Sequence, residues 1–210
     1  MGIEFDALIE GVRPELEAMH AAREKGLATC RQIIQNASKS IRAGHRREFD
    51  KAREFLQASG EAVASARDVL VGFPSLLHKG FFDDALKEYV EAFAFLKMVE
   101  EHRLVSAEEL KVGAVPYLHG MAEAASELRR TCLDTMRHGS FDEAQALFDL
   151  MDQVYEGLIT CDFPDGMTDG LRRTTDALRA VVERTRSDLT QSLTQHELVI
   201  ELRRATHKEG

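Results

Sequence analysis

The sequence predicts an all-α protein, and three observations carry that prediction. Ala, Leu, Glu and Arg dominate, Pro is rare (4) and Trp is absent, a balance that favours helix over sheet. Apolar residues recur at helical spacing nearly from end to end. Val, Ile and Thr never gather in alternating runs, so no strand is indicated.

The elements follow in order. A first long helix is expected over about 4 to 43, with Ile33, Ile34, Ala37 and Ile41 on one face. Pro14 either kinks it or marks its true start, and Gly44 is its expected stop. A second helix is expected from about 47 to 71, ended by Gly72-Phe73-Pro74, and a third over roughly 81 to 102. Ser106-Ala-Glu-Glu109 resembles a capping box opening a short helix. Pro116 suits the first turn of the next helix, about 116 to 138, which Gly139 closes. Another is expected over 141 to 161, and Phe163-Pro-Asp-Gly166 signals a turn. The last runs from about 168 to 204, with a frayed tail at Thr206-His-Lys-Glu-Gly210.

An echo marks three helix starts: Phe49-Asp50-Lys51-Ala52, Phe82-Asp83-Asp84-Ala85 and Phe141-Asp142-Glu143-Ala144. Each follows a His and a break, at His45, His78-Lys-Gly80 and His138-Gly139. An acid in a first turn meets the positive end of the helix dipole, while the Phe packs backwards. The spacings, 33 and then 59 residues, hold no single period and exclude a solenoid. Seven helices in an antiparallel bundle, forming one domain over 1–210, are the expected architecture.

Composition narrows the class of function. Apolar residues make up 44% of 210, enough for a real core. Cys30, Cys132 and Cys161 are odd in number and lack metal-ligand spacing, which reads as reduced structural thiols. No apolar run approaches the ~20 residues of a membrane span. Glu4, Asp6 and Glu10 stand where a secretory leader would be basic, so a cytoplasmic protein is expected. A net charge of −9 argues weakly against a nucleic-acid partner, although local patches count for more than the total. No Ser-His-Asp set, phosphate loop or dinucleotide fingerprint is present.

The third helix carries the sharpest anomaly. Positions 84, 88, 91, 95, 98 and 102 form one stripe reading Asp, Glu, Glu, Phe, Met, His. An acidic face that turns apolar within a turn suggests that Glu88 and Glu91 border a buried surface. Adjacent carboxylates repel, and burial makes that worse; a hard divalent cation, Mg²⁺ or Mn²⁺, removes both problems. Glu123 and Glu127, four apart beside the small residues Gly120 and Ala124, offer a facing pair. Spacing alone leaves open the plainer alternative of ordinary solvated glutamates in a chain with 36 acids. No Glu-x-x-His pair accompanies these residues, which favours a redox-inert ion over iron or zinc. Such a site suits activation of water for phosphodiester hydrolysis.

These residues also resemble a family. Leu86-Lys-Glu-Tyr-Val-Glu-Ala-Phe-Ala-Phe95 looks like the Glu-Tyr-Val-Glu-Ala segment of the translin superfamily, particularly its translin-associated factor X branch. Ser38-Lys-Ser-Ile-Arg-Ala-Gly-His-Arg46, Gly120-Met-Ala-Glu-Ala-Ala-Ser-Glu-Leu128 and Asp152-Gln-Val-Tyr-Glu-Gly157 are similar to further segments of that family, in the same order. The resemblance implies a seven-helix translin-type fold, closed hollow octamers and a Mg²⁺-dependent endoribonuclease acting on single-stranded RNA. Translin itself, which binds single-stranded RNA and DNA, supplies the alternative of a non-catalytic binder. The catalytic and metal-binding carboxylates implied here are Glu88, Glu91, Glu123 and Glu127. The factor X pattern has Asp at the third position, where this chain has the longer Glu123.

The densest positive region in this acidic chain is Lys39, Arg42, His45, Arg46, Arg47, Lys51 and Arg53, opposed only by Glu48 and Asp50. By itself it reads equally as a solvated helix corner with internal ion pairs. The resemblance assigns Lys39, Arg42, His45, Arg46 and Arg47 to nucleic-acid binding, where they would hold phosphates and read sequence poorly.

Overall fold

A computed structural model describes residues 5–77 and 80–206. Glu4, the expected break at His78-Lys79 and the tail from His207 to Gly210 lie outside the described residues. Within them the chain forms helices and no strand. Six are long: α1 (Phe5–His45), α2 (Phe49–Leu70), α4 (Phe81–Glu101), α6 (Ala114–Arg137), α7 (Phe141–Ile159) and α9 (Leu171–Thr206). Three single turns, α3 (Pro74–Leu77), α5 (Ala107–Leu110) and α8 (Asp165–Thr168), sit in the links. The expected seven correspond to the long helices plus α5. The added turns α3 and α8 fall at Pro74 and just after Pro164, where a fixed proline φ starts a helical turn cheaply.

Pro14 lies inside α1 without ending it. Gly44 is not the stop that sequence suggested. It is buried within the last turn, where a Cβ would lie 2.8 Å from Phe95 Cε1. The left-handed residue that ends α1 is Arg47, at φ 58°. Glu48 N–H bonds back to Ala43 O at 3.0 Å, and Arg47 N–H to Gly44 O at 2.9 Å, so the turn closes on arginine despite a steric cost of about 1 kcal/mol. Gly139, at φ 78°, closes α6 in the same geometry and matches expectation. Ser106 caps α5 by accepting from Glu109 N–H at 3.1 Å. The reciprocal half of the capping box is absent, because the Glu109 carboxylate pairs with Arg103 at 2.8 Å.

The three Phe-Asp-x-Ala echoes open α2, α4 and α7. Ala52, Ala85 and Ala144 are wholly buried, and Phe49 and Phe141 lean on the main core while Phe82 is buried in the second. The repeated string is therefore a way of seating a helix start. Ile33, Ala37 and Ile41 face the core as expected, but Ile34 is turned outward.

Helix α4 is central. Val90, Ala94, Phe95 and Met98 are fully buried, and each large side chain among them contributes about 1.5–3 kcal/mol through burial. Successive long helices are antiparallel, with one exception. Ser59 reaches Ile33 O and Ser40 reaches Ala52 O, fixing α1 against α2. Cys132 faces Ala144 across the α6–α7 turn, and Arg186 pairs with Asp152 across α7–α9. Helices α4 and α6 instead ascend together, Lys87 meeting Glu123 while the Glu127 charge reaches Glu91. The link through α5 runs back beside α4 to make this direction reachable, held where Arg67 donates to the Lys111 carbonyl.

Burial pushes the Cys30 and Cys132 thiols up to about 11, which keeps them protonated and inert. Among the described residues no helix is long and apolar enough to cross a membrane.

Candidate metal centre

The centre is set by one close contact. At Gly120 a Cβ would lie 2.6 Å from Val90 Cβ and 2.7 Å from the Lys87 carbonyl oxygen. Only glycine allows α6 to approach α4 this closely. Because the two helices run in the same direction, the turn bearing Glu88 and Glu91 then faces the turn bearing Glu123. Each of the three brings a carboxylate oxygen within 4.8 Å of the others.

Their environments differ. Glu91 is buried at 9% exposure, while Glu88 and Glu123 are half-buried. Burial pushes the Glu91 carboxyl up to about 8, and the charges of Glu123, Glu88 and Glu127 reinforce the effect against the opposing pull of Lys87.

Lys87 is the feature that stripe reading missed. Its ammonium stands 2.8 Å from Glu123 Oε1 and 3.4 Å from Glu88 Oε1. Burial is the largest influence on Lys87 and disfavours its charge, but the pairs with Glu123 and Glu88 outweigh it and leave the pKa raised. A signal existed: a lysine one turn before Glu91 in an otherwise acidic stretch.

Glu127 stands apart from the other three. Its Oε2 lies 2.7 Å from His45 Nε2. That hydrogen bond, more than any other influence, draws the Glu127 carboxyl below the usual range despite burial. The His45 side chain is only 5% exposed, and its ring is tilted against Phe95 at 4.7 Å. Its Nδ1 is buried with no hydrogen-bond partner among the described residues. Thus His45, grouped by sequence with the phosphate-binding cluster, faces inward and joins that cluster to the acidic centre.

The rest of the basic cluster is largely paired with neighbouring acids. Arg46 and Lys51 both hold Glu48, at 3.0 and 3.1 Å. Arg47 reaches Glu143 at 3.1 Å. Arg53 pairs with Asp50 and with Glu100. The Lys39 ammonium lies 5.6 Å from the Phe55 ring centroid. Arg42 is exposed and makes no ion pair among the described residues. Arg46, four residues before Asp50, takes Glu48 as its partner instead.

Beside the centre lies a pocket of about 200 Å³ lined by Asp83, Asp84, Lys87, His119, Glu123 and Asp169, among others. His119 is a structural crosslink here, with Nε2 2.8 Å from Thr168 O and Nδ1 2.9 Å from Thr174 Oγ1. The donor set suits Mg²⁺ or Mn²⁺: three carboxylates converge from two rigid helices, one of them energetically unsettled as an anion, and a lysine cation already bridges the other two.

A parallel α4–α6 pair presenting inward carboxylates within six long helices defines a helical fold of specialised topology. The chain is 30% identical to AfC3PO in its complex with duplex RNA, covering 89% of this chain and 97% of that one, with a TM-score of 0.83. Apo-NeC3PO superposes with a TM-score of 0.77 at 20% identity, covering 91% of this chain and 98% of the other. Translin-associated protein X of Mus musculus is 24% identical, and the match covers 68% of this chain and 63% of the mouse protein. An uncharacterized protein of Methanocaldococcus jannaschii is 28% identical over 171 residues, 80% of this chain and 75% of that protein. No protein-family model matches the chain. The chain belongs to the translin superfamily, with its affinity toward the translin-associated protein X branch.

Proposed function

We propose that this protein is a Mg²⁺-dependent endoribonuclease whose centre is Glu88, Glu91 and Glu123, with Glu127 completing the acidic face. The observation that carries the reading is the convergence of three carboxylates within 4.8 Å, one of them buried. Similarity to AfC3PO, which is seen with duplex RNA, supports RNA as the polymer. Mg²⁺, or Mn²⁺ in its place, supplies Lewis acidity at a phosphoryl oxygen when bound. The chain's residues do the rest. Glu88 and Glu123 would hold the ion from opposite helices. Glu91, whose carboxyl is raised to about 8 in the metal-free chain, would give up its proton when the ion binds, and its freed carboxylate would then accept one from the attacking water. Arg42, with the neighbouring Lys39, Arg46 and Arg47, gives the RNA backbone a positive approach beside the acids.

The reading includes single-stranded RNA as substrate and a closed homo-octamer as the working form. The assembly is supported by an apolar stripe on α1, Phe5, Leu8, Val12 and Leu16, which is exposed in a single chain. The test is cleavage of a labelled single-stranded RNA with Mg²⁺ or with EDTA, using wild type and a folded Glu88→Ala, Glu91→Ala variant, with light scattering for assembly mass. Cleavage that needs Mg²⁺ and disappears in the variant is expected; unchanged cleavage by the variant would refute the assignment.

A second reading is an RNA binder without catalysis. It is favoured by Lys87, which offsets part of the site's negative charge without any metal. RNA binding with no cleavage in either Mg²⁺ or Mn²⁺ selects it.

A further inference from the structure

We infer that Lys87 is an exchangeable counter-ion: it bridges and partly neutralises Glu88 and Glu123 until a divalent cation displaces it, and its freed ammonium then pairs with an RNA phosphate in the adjoining pocket. The inference rests on the metal-centre reading above and adds a role for a residue outside the carboxylate set.

The geometry carries it in three steps. The Lys87 ammonium lies 2.8 Å from an oxygen of Glu123 and 3.4 Å from an oxygen of Glu88. Those carboxylates are two of the three whose oxygens converge within 4.8 Å. A divalent ion binds carboxylate oxygens at about 2.1 Å, so it and the ammonium would compete for the same oxygens and repel one another at close range. The two therefore alternate.

The released ammonium has somewhere to go. Lys87 is 26% exposed at its side chain and lines the pocket of about 200 Å³ together with Glu123, His119 and Asp169. Its four-carbon stem pivots without moving α4, whose backbone is pinned at this residue by Gly120. The pocket walls are acidic at Asp83, Asp84 and Asp169, so a phosphate would not settle there unaided. Lys87, already on the pocket wall, frees its positive charge from Glu88 and Glu123 when the metal binds, and phosphate affinity rises only when the centre is loaded.

The arrangement orders events. RNA held before loading would meet a lysine already committed to carboxylates. RNA arriving after loading meets both the ion and the ammonium.

The experiment uses the 210-residue chain and its variants Lys87→Met and Lys87→Arg. Mn²⁺ affinity is measured by electron paramagnetic resonance without RNA. Removing the competing charge is expected to tighten Mn²⁺ binding about ten-fold or more, the equivalent of about 1.4 kcal/mol. Lys87→Arg, which keeps the charge, should stay near wild type. Binding of a short single-stranded RNA is then measured with EDTA and with Mg²⁺ on a background of phosphorothioate linkages that resist cleavage. Wild type should gain affinity on adding Mg²⁺, and Lys87→Met should lose that gain together with about one unit of salt-dependence slope. Equal or weaker Mn²⁺ binding by Lys87→Met overturns the counter-ion role, and an RNA gain that survives in Lys87→Met overturns the phosphate role. Failure of wild type itself to bind Mn²⁺ at millimolar concentration refutes the metal centre, and the inference with it, and so separates the two failures.

Discussion

Replacing Glu91 by Gln tests the electrostatics of the centre most directly. The substitution keeps the shape of the side chain and removes the one buried charge among the carboxylates. In the metal-free protein the Glu91 carboxyl is raised from 4.5 to about 8, with burial the main cause. The folded state therefore holds a proton on Glu91 at pH values where the unfolded chain has released it. Stability from this source is complete below pH 4.5 and is lost as pH rises to about 8. The slope in that window is about 1.4 kcal/mol per pH unit for one proton, so between about pH 5.5 and 8 the wild type should lose roughly 3 kcal/mol. Glu91→Gln should lack this loss and be the more stable protein at about pH 8 in EDTA. Adding Mg²⁺ should narrow or reverse the ranking, because the wild type offers the cation three converging carboxylates and the variant only Glu88 and Glu123. Urea unfolding at three pH values, with EDTA or Mg²⁺, reads every part of this. Parallel pH profiles for the two proteins in EDTA would show that Glu91 does not carry the charge stress argued for it.

Two further outcomes follow from packing and backbone geometry. Gly120→Ala places a methyl 2.6 Å from Val90 Cβ and 2.7 Å from a backbone oxygen, so a loss of about 1–3 kcal/mol in urea unfolding is expected, with weaker Mn²⁺ binding because Glu123 is pushed away from Glu88; unchanged stability would mean that the helices separate freely. His102 is exposed and holds φ 49° at the end of α4, so His102→Gly should stabilise by about 0.5–1 kcal/mol, seen as a rise of about 2 °C in Tm, with RNA cleavage unchanged; a lower Tm would refute the strain assigned there.

The helices were legible because apolar periodicity and breakers are local signals. The stripe through Glu88, Glu91, Phe95 and Met98 correctly placed acids at the edge of a core, since α4 is buried on nearly every face. Features needing the third dimension were not legible. Gly44 reads as a helix stop in sequence, yet its smallness serves Phe95, from another helix, and the stop falls on Arg47. His45 reads as one more member of a basic run, whereas the α1 face it occupies turns it onto Glu127. Lys87 lies off the acidic stripe, and only the parallel course of α6 brings Glu123 to its ammonium. Pairing within the basic cluster was equally hidden, because Arg46 finds Glu48 across a turn that helical spacing does not describe.

The seat of Gly120 on Val90 has one more consequence. A cluster of like charges ordinarily relaxes by moving apart, but here the backbones are already in contact. Charge stress at the centre must then be relieved by exchanging ions with solvent. At neutral pH the metal-free protein retains hydrogen on Glu91, and loading expels it. Metal uptake should thus acidify the surrounding solution by close to one equivalent per chain. Calorimetry in buffers of differing ionisation enthalpy would count that equivalent directly, making the protein's metal occupancy a function of ambient acidity as much as of metal supply.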